Sequence, residues 1–301
     1  IGREKGYHGV NFGGVSVGGI TPNRKSFGPL LPGVDHLPHT WNLDEMAFSK
    51  GQPVWGLHLA DELEKILTLQ DPSTVAAVII EPVTGSGGVI VPPVGYLERI
   101  REICTKHNIL LIFDEVITGF GRLGDSFAAT RFDVTPDIIT MAKGLTGAVI
   151  PMSAVAFKNE IHDTIMQGPE NMIELFHGYT YSGHPVAAAA GLATLEVYEE
   201  EGLFQKAKEL EPVFEDAVHS LKGENQVVDI RNIGLMGALH FGSDPIPAAE
   251  FASKVFQHCY ENDVLVRFSG EFLVLSPSLI AKPEHIETIV DALKTAIRSI
   301  N

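Results

Sequence analysis

Cysteine is almost missing from this chain: Cys104 and Cys259 are the only two in 301 residues, and neither belongs to a CxxC spacing. That excludes a disulfide framework and a zinc-cluster signature, and it fits a reducing, cytoplasmic setting. Positive charge is also scarce, with 22 Lys and Arg against 38 Asp and Glu and a net charge of −16. An acidic surface repels phosphate backbones and anionic lipid headgroups, so neither nucleic acid nor a membrane surface is the expected partner. No uninterrupted apolar run reaches the roughly 18 residues of a membrane span, and the opening stretch lacks the basic-then-apolar layout of a secretory leader. What the chain does have is length. At about 150 residues per domain it has room for two domains, and it buries a core without staples.

Residues 1–56 are rich in Gly and Pro, including Gly13-Gly14, Gly18-Gly19 and Pro32-Gly33, and show little periodicity. They read as loop with one short helix, and a loop region of that length usually carries function or packs against another chain. An amphipathic helix follows over Leu57 to Leu69. Then apolar runs alternate with helical patterns: strands at Val75 to Ile80, Ile109 to Phe113, Asp137 to Met141 and Ser153 to Phe157, with a helix between Gly95 and His107. Such alternation predicts a mostly parallel α/β sheet with helices on its faces. Helices are expected over Val186 to Glu199 and Phe204 to Leu221. Near residue 202 the pattern changes to a smaller α+β domain. Strands are expected there at Val227 to Ile230, Leu235 to Phe241, Val264 to Arg267 and Phe272 to Leu275, with helices at Ala248 to Glu261 and Pro283 to Ile300. The expected division is 1–201 and 202–301.

Three motifs invite a chemical reading. Gly119-Phe-Gly121-Arg-Leu-Gly124 matches the dinucleotide fingerprint GxGxxG, but Asp114 to Thr118 intervene after the strand and no helix opens at Gly121. Gly14-Val-Ser16-Val-Gly18 matches the nucleophile elbow GxSxG, yet Gly19-Ile-Thr-Pro22 cannot open the helix the elbow needs. The third constellation is Asp114 and Lys143 at the ends of successive strands, where ligands of an open parallel sheet collect. A lysine in a desolvated pocket loses its proton readily and can form a Schiff base with an aldehyde. A carboxylate against a pyridine nitrogen keeps that nitrogen protonated and the ring electron-withdrawing. The pair thus has the composition for pyridoxal phosphate chemistry; a surface lysine beside a helix-capping aspartate is the other reading, and spacing alone leaves both open.

Further motifs occur in order: Tyr7-His-Gly9, Ile80-Glu81-Pro82-Val83, Phe113-Asp114-Glu115-Val116 with Thr118 to Arg122, Ala142-Lys143-Gly144, and Phe176 to Pro185 around Thr180. Together they resemble the class III pyridoxal-phosphate aminotransferases. The whole chain, including Thr40 to Pro53 and Val264 to Arg267, resembles the β-alanine (ω-amino acid):pyruvate branch. The resemblance implies the fold-type I architecture, with a large cofactor domain and a smaller C-terminal α+β domain, and a homodimer with cofactor sites at the subunit interface. It also accounts for the glycines after Thr118 as the tail of the aspartate motif.

By resemblance, Lys143 is the Schiff-base lysine and the base that moves the substrate proton, and Asp114 binds the pyridine nitrogen. Val116 packs under the ring and Tyr7 stacks on its other face. His8 belongs with the cofactor-binding residues, and His177 and Trp55 with the pocket wall. Thr180 reaches the cofactor phosphate of the neighbouring subunit. Glu81 lies near substrate and cofactor, and Arg267 binds a substrate carboxylate through paired hydrogen bonds. No metal-ligand spacing accompanies them. A 4-aminobutyrate or diamine aminotransferase, or an aminomutase, shares the same motifs; a truncated, non-catalytic partner subunit is the reading from another class.

Several positions depart from the family pattern. Gly147-Ala148 stands where relatives usually carry Asn-Gly, Glu271 replaces an Asp, and Ser278 interrupts a Pro-Pro. The larger expected departure is the N-terminal portion, whose glycine-serine turn at a helix N-terminus holds the cofactor phosphate in relatives. No such turn opens a helix here, because Gly85-Ser-Gly-Gly88 is followed by Val89 to Pro93. The sequence therefore reads as the larger part of a longer aminotransferase chain.

Overall fold

The apolar runs at Val75 to Ile80 and Ile109 to Phe113 become neighbouring parallel strands in the computed structural model, which describes residues 1–300. In chain order the strands are β1 (Gly2–Arg3), β2 (His36–Leu37), β3 (Ala77–Ile80), β4 (Leu110–Asp114), β5 (Ile138–Met141) and β6 (Ala154–Phe157). After them come β7 (Val227–Ile233), β8 (Met236–Phe241), β9 (Arg267–Ser269) and β10 (Phe272–Leu275). The first large sheet has the order β3-β4-β5-β6, parallel across β3, β4 and β5 and antiparallel at β6. The second, β7-β8-β10-β9, is antiparallel throughout.

Each sheet has its own apolar core. The helix Tyr96–Lys106 turns Leu97, Ile100, Ile103 and Cys104 toward β3 and β4, where they meet Val78, Ile80, Leu111 and Phe113. That is the i, i+3, i+7 stripe of an amphipathic helix, and each fully buried aliphatic side chain contributes about 1.5–3 kcal/mol. Helices Leu203–His219, Ala248–Glu261 and Pro283–Ser299 bury the corresponding stripes against the antiparallel sheet. Ile233, Met236, Ala238 and Val274 of that sheet reach back into the first core.

Local departures from the expected elements have physical causes. Residues 1–56 hold three short helices, Phe12–Val17, Thr21–Arg24 and Leu43–Met46, and the parallel pair β1–β2. Their stability is tertiary: Arg24 Nη1 donates to the carbonyls of Ser16 (2.7 Å) and Gly18 at the end of the first helix. The helix expected from Leu57 begins as a 3-10 turn, Leu57–Asp61, and becomes α-helical over Glu62–Gln70. The strand expected at Val264 to Arg267 starts only at Arg267, because its ladder with β10 begins at the pair Arg267 and Val274; Val264 and Val266 are buried ahead of it without strand pairing. Ser16 lies inside its helix with its hydroxyl donated to the Phe12 carbonyl at 2.6 Å, which is no nucleophile elbow. No helix of the described residues is long and apolar enough to cross a membrane.

Candidate active site

Three parallel strands end side by side and deliver three charged groups to one edge of the sheet. Ile80 pairs with Phe113 and Asp114 with Thr140, so Glu81, Asp114 and Lys143 follow one another across the carboxyl edge of β3, β4 and β5. Asp114 is 8% exposed. Its Oδ2 contacts His8 Nδ1 at 2.9 Å, and its Oδ1 accepts from the Val116 backbone N–H at 3.1 Å. The carboxylate is therefore held in a fixed orientation from two sides. His8 Nε2 is buried without a hydrogen-bond partner.

Lys143 leaves β5 through a residue with φ +46°, a left-handed conformation that costs an L-residue roughly 1–2 kcal/mol. Surrounding contacts impose it. The Leu145 N–H donates to the Ala142 carbonyl at 3.0 Å, closing the 3-10 turn Lys143–Thr146, and a Cβ on Gly144 would meet Phe120 Cβ at 2.8 Å. The side chain opens into the crevice, yet burial of the ammonium pushes its pKa below the ordinary lysine value. Glu81 and Asp114 pull the other way, and Arg267 adds to the lowering. Lys143 thus sits within electrostatic reach of all three groups expected around it. The crevice is about 460 Å³ and is lined by Val116, Phe120, Lys143, Tyr198, Arg267 and Ser278, among others.

Glu81 is 5% exposed, and burial raises its pKa. Its Oε1 accepts from the Tyr7 N–H at 2.8 Å and its Oε2 from the Gly85 N–H at 2.9 Å, so the carboxylate ties two loops together at the strand end. The Tyr7 backbone is thereby fixed next to His8. Arg267 Nη2 reaches Ser86 Oγ at 3.4 Å, at the tip of the glycine loop that Glu81 anchors. That loop is held from its far side by Arg231, which is 4% exposed and donates to the Gly88 carbonyl through Nε at 3.0 Å and Nη2 at 2.8 Å.

Thr180 does not join this group within the chain. It lies with Phe176, His177, Tyr179 and Tyr181 on an exposed segment ahead of the helix Pro185–Glu200. His177 packs its ring on Tyr179 at 5.7 Å and Trp55 on His58 at 5.1 Å, and neither lines the crevice. Tyr198 and Arg122 do line it, and sequence reasoning passed over both. A signal existed for Tyr198: Gly191, Thr194 and Tyr198 recur at helical spacing and meet the turn Lys143–Ala148 as one stripe.

With this geometry in view, the class III aminotransferase family model matches residues 1–297. The chain belongs to the class III aminotransferases. This aminotransferase is 55% identical to an omega-aminotransferase of Caulobacter vibrioides, over the whole of this chain and 69% of that protein. It is 50% identical to a beta-alanine--pyruvate aminotransferase of Pseudomonas aeruginosa, of which it spans 67%. Among solved structures, a PLP-bound amine transaminase from an uncultivated Pseudomonas species superimposes with a TM-score of 0.91 at 38% identity, over all of this chain and 69% of that one. The expected fold class, a PLP-dependent transferase architecture, accordingly holds for this aminotransferase.

Proposed function

We propose that this aminotransferase moves an amino group from a β-alanine-like ω-amino acid or amine to pyruvate, using pyridoxal 5'-phosphate held between Asp114 and Lys143. The observation that carries the reading is an amine of lowered pKa that opens into the crevice and, on the neighbouring strand end, an oriented carboxylate within its electrostatic reach. The names of the relatives, an omega-aminotransferase and a beta-alanine--pyruvate aminotransferase, supply the substrate class. The donor set suits the cofactor: a carboxylate with lone pairs to spare, a lysine amine open to the crevice, and an arginine across from it.

When bound, pyridoxal phosphate supplies an aldehyde for an amine to condense with and a ring that withdraws electrons from the substrate carbon. Asp114 then holds a proton on the pyridine nitrogen, its orientation braced by His8 and the Val116 N–H. Val116 and Tyr7 would hold the ring by apolar and aromatic contact. Lys143 Nζ carries the substrate proton, and its lowered pKa leaves a larger fraction of free amine near neutral pH than an ordinary lysine has. Glu81 keeps Tyr7 and the loop at Gly85 in register around the site. Arg267 pairs with the carboxylate of the amino acid or of pyruvate through two parallel bonds.

The working form is a cytoplasmic homodimer in which the exposed Thr180 reaches the cofactor phosphate of the neighbouring subunit. Both cysteines are buried and unpaired, in keeping with a reducing compartment. Residues 1–201 carry the cofactor and residues 202–301 bring Arg267 to it. The test is a donor panel, β-alanine, 4-aminobutyrate, putrescine and a simple aryl amine, against pyruvate and 2-oxoglutarate with the cofactor-loaded protein. Turnover with β-alanine and pyruvate, abolished by Lys143→Ala, is the expected result. Persistent turnover in that variant overturns the assignment, and preference for 4-aminobutyrate or putrescine moves the substrate class within the family.

A further inference from the structure

Tyr198 stands near the end of the helix Pro185–Glu200, 54 residues along the chain from Gly144. Its hydroxyl donates to the Gly144 carbonyl at 2.6 Å, the first carbonyl after Lys143. Its ring stacks on Phe120 at 6.2 Å and packs against Phe204 at 5.1 Å. Phe120 in turn closes on Gly144, where no Cβ would fit. The strained turn at Lys143 is therefore gripped twice, by Phe120 against the glycine and by the Tyr198 hydroxyl on its carbonyl.

We propose that Tyr198 is a positioning residue for the transamination read above, holding the left-handed Lys143 turn so that its amine stays in the crevice beside Asp114 and Glu81. The physical requirement is clear. A left-handed lysine relaxes toward ordinary backbone angles unless its neighbours prevent it, and a one-residue rotation swings a long side chain by several ångströms. The Gly144 carbonyl lies in the peptide one residue beyond that rotation, and a hydrogen bond on it anchors the chain on the C-terminal side of Lys143. Proton transfer is sensitive to such shifts, since a displacement of about 1 Å costs up to roughly 100-fold in rate. Glu81, Asp114 and Arg267 are the charged groups acting on the Lys143 amine, and Arg122 is the charged group acting on Tyr198.

Tyr198→Phe keeps the ring stack and removes only the hydroxyl. Thr194→Ala serves as the control, since Thr194 lies one turn earlier on the same helix face, near Gly147 and clear of Gly144. Two readouts separate positioning from stability. In the pyridoxal-phosphate-loaded enzyme, Tyr198→Phe lowers kcat for the donor half-reaction about tenfold with KM within about twofold, while Thr194→Ala leaves both near the parent values. In cofactor-free protein with reductively ¹³C-methylated lysines, the Lys143 resonance titrates below an ordinary lysine, and Tyr198→Phe moves it up toward the ordinary range as the freed amine gains water. An unchanged Lys143 titration in Tyr198→Phe, or an equal effect of Thr194→Ala, overturns the proposal. Because the NMR arm needs neither cofactor nor turnover, a protein that fails to transaminate refutes the functional reading separately.

Discussion

Replacing Arg231 by Met tests how the glycine loop beside the site is held. Arg231 and Asp229 lie inside the second sheet at 4% and 0% exposure, joined by a close hydrogen bond, with the guanidinium over Trp41 at 5.0 Å and Phe272 at 5.8 Å. Removing one partner of a buried ion pair leaves the other charge uncompensated, at a cost of about 3–5 kcal/mol. Here the low end applies, about 3 kcal/mol, because Asp229 keeps hydrogen bonds from Trp41 Nε1 at 3.0 Å and the Phe48 N–H at 2.6 Å. The Gly88 carbonyl also loses both its donors, adding about 1 kcal/mol. The expected total is about 4 kcal/mol, a drop of about 6 °C in Tm for a chain of 301 residues at about 2.1 cal/mol/K of unfolding entropy per residue. Differential scanning calorimetry on Arg231→Met, Asp229→Asn and the double variant reads it directly. The double variant recovers about three quarters of the loss, since the stranded charge is gone while the Gly88 bonds stay broken. A drop below about 3 °C in the single variant, or no recovery in the double, refutes the reasoning.

Ala148 has φ +65°, where Gly would be unstrained, so Ala148→Gly raises stability by about 0.5–1 kcal/mol despite the entropy glycine loses on folding. A lower Tm in that variant would show that Ala148 is held by contacts rather than merely strained. Burial pushes the thiols of Cys104 and Cys259 up to about 11 each, from an ordinary 9.0. The folded chain therefore keeps these protons longer than the unfolded one, and the stability they carry is present below pH 9 and is lost as pH rises through 11. A thiol reagent at pH 8 finds no reactive cysteine in the native protein and two after denaturation; fast native labelling contradicts the burial.

Much of the first sheet was legible because its strands are short apolar runs bounded by breakers. Val75 to Ile80 and Ile109 to Phe113 have one plausible fate in a chain with helices between them. Asp114 and Lys143 were legible as a pair for the same reason, since strand ends in a parallel sheet share an edge. Thr180 was legible only through the family motif, and within the chain it stands apart. Arg267 was placed on a strand that starts later than expected, because burial of Val264 and Val266 mimics strand alternation without a partner strand.

Composition and periodicity determined by themselves that the chain is an acidic α/β protein with its candidate lysine and aspartate on neighbouring strands, because those properties are carried by residues close in sequence. Only the tertiary structure decided what holds them there. Glu81 binds the backbone of Tyr7, His8 braces Asp114, and Tyr198 grips Gly144 across 54 residues of chain. Each is a hydrogen bond between groups distant in sequence, and such bonds leave no local pattern, since either partner alone reads as an ordinary helix, strand or loop residue.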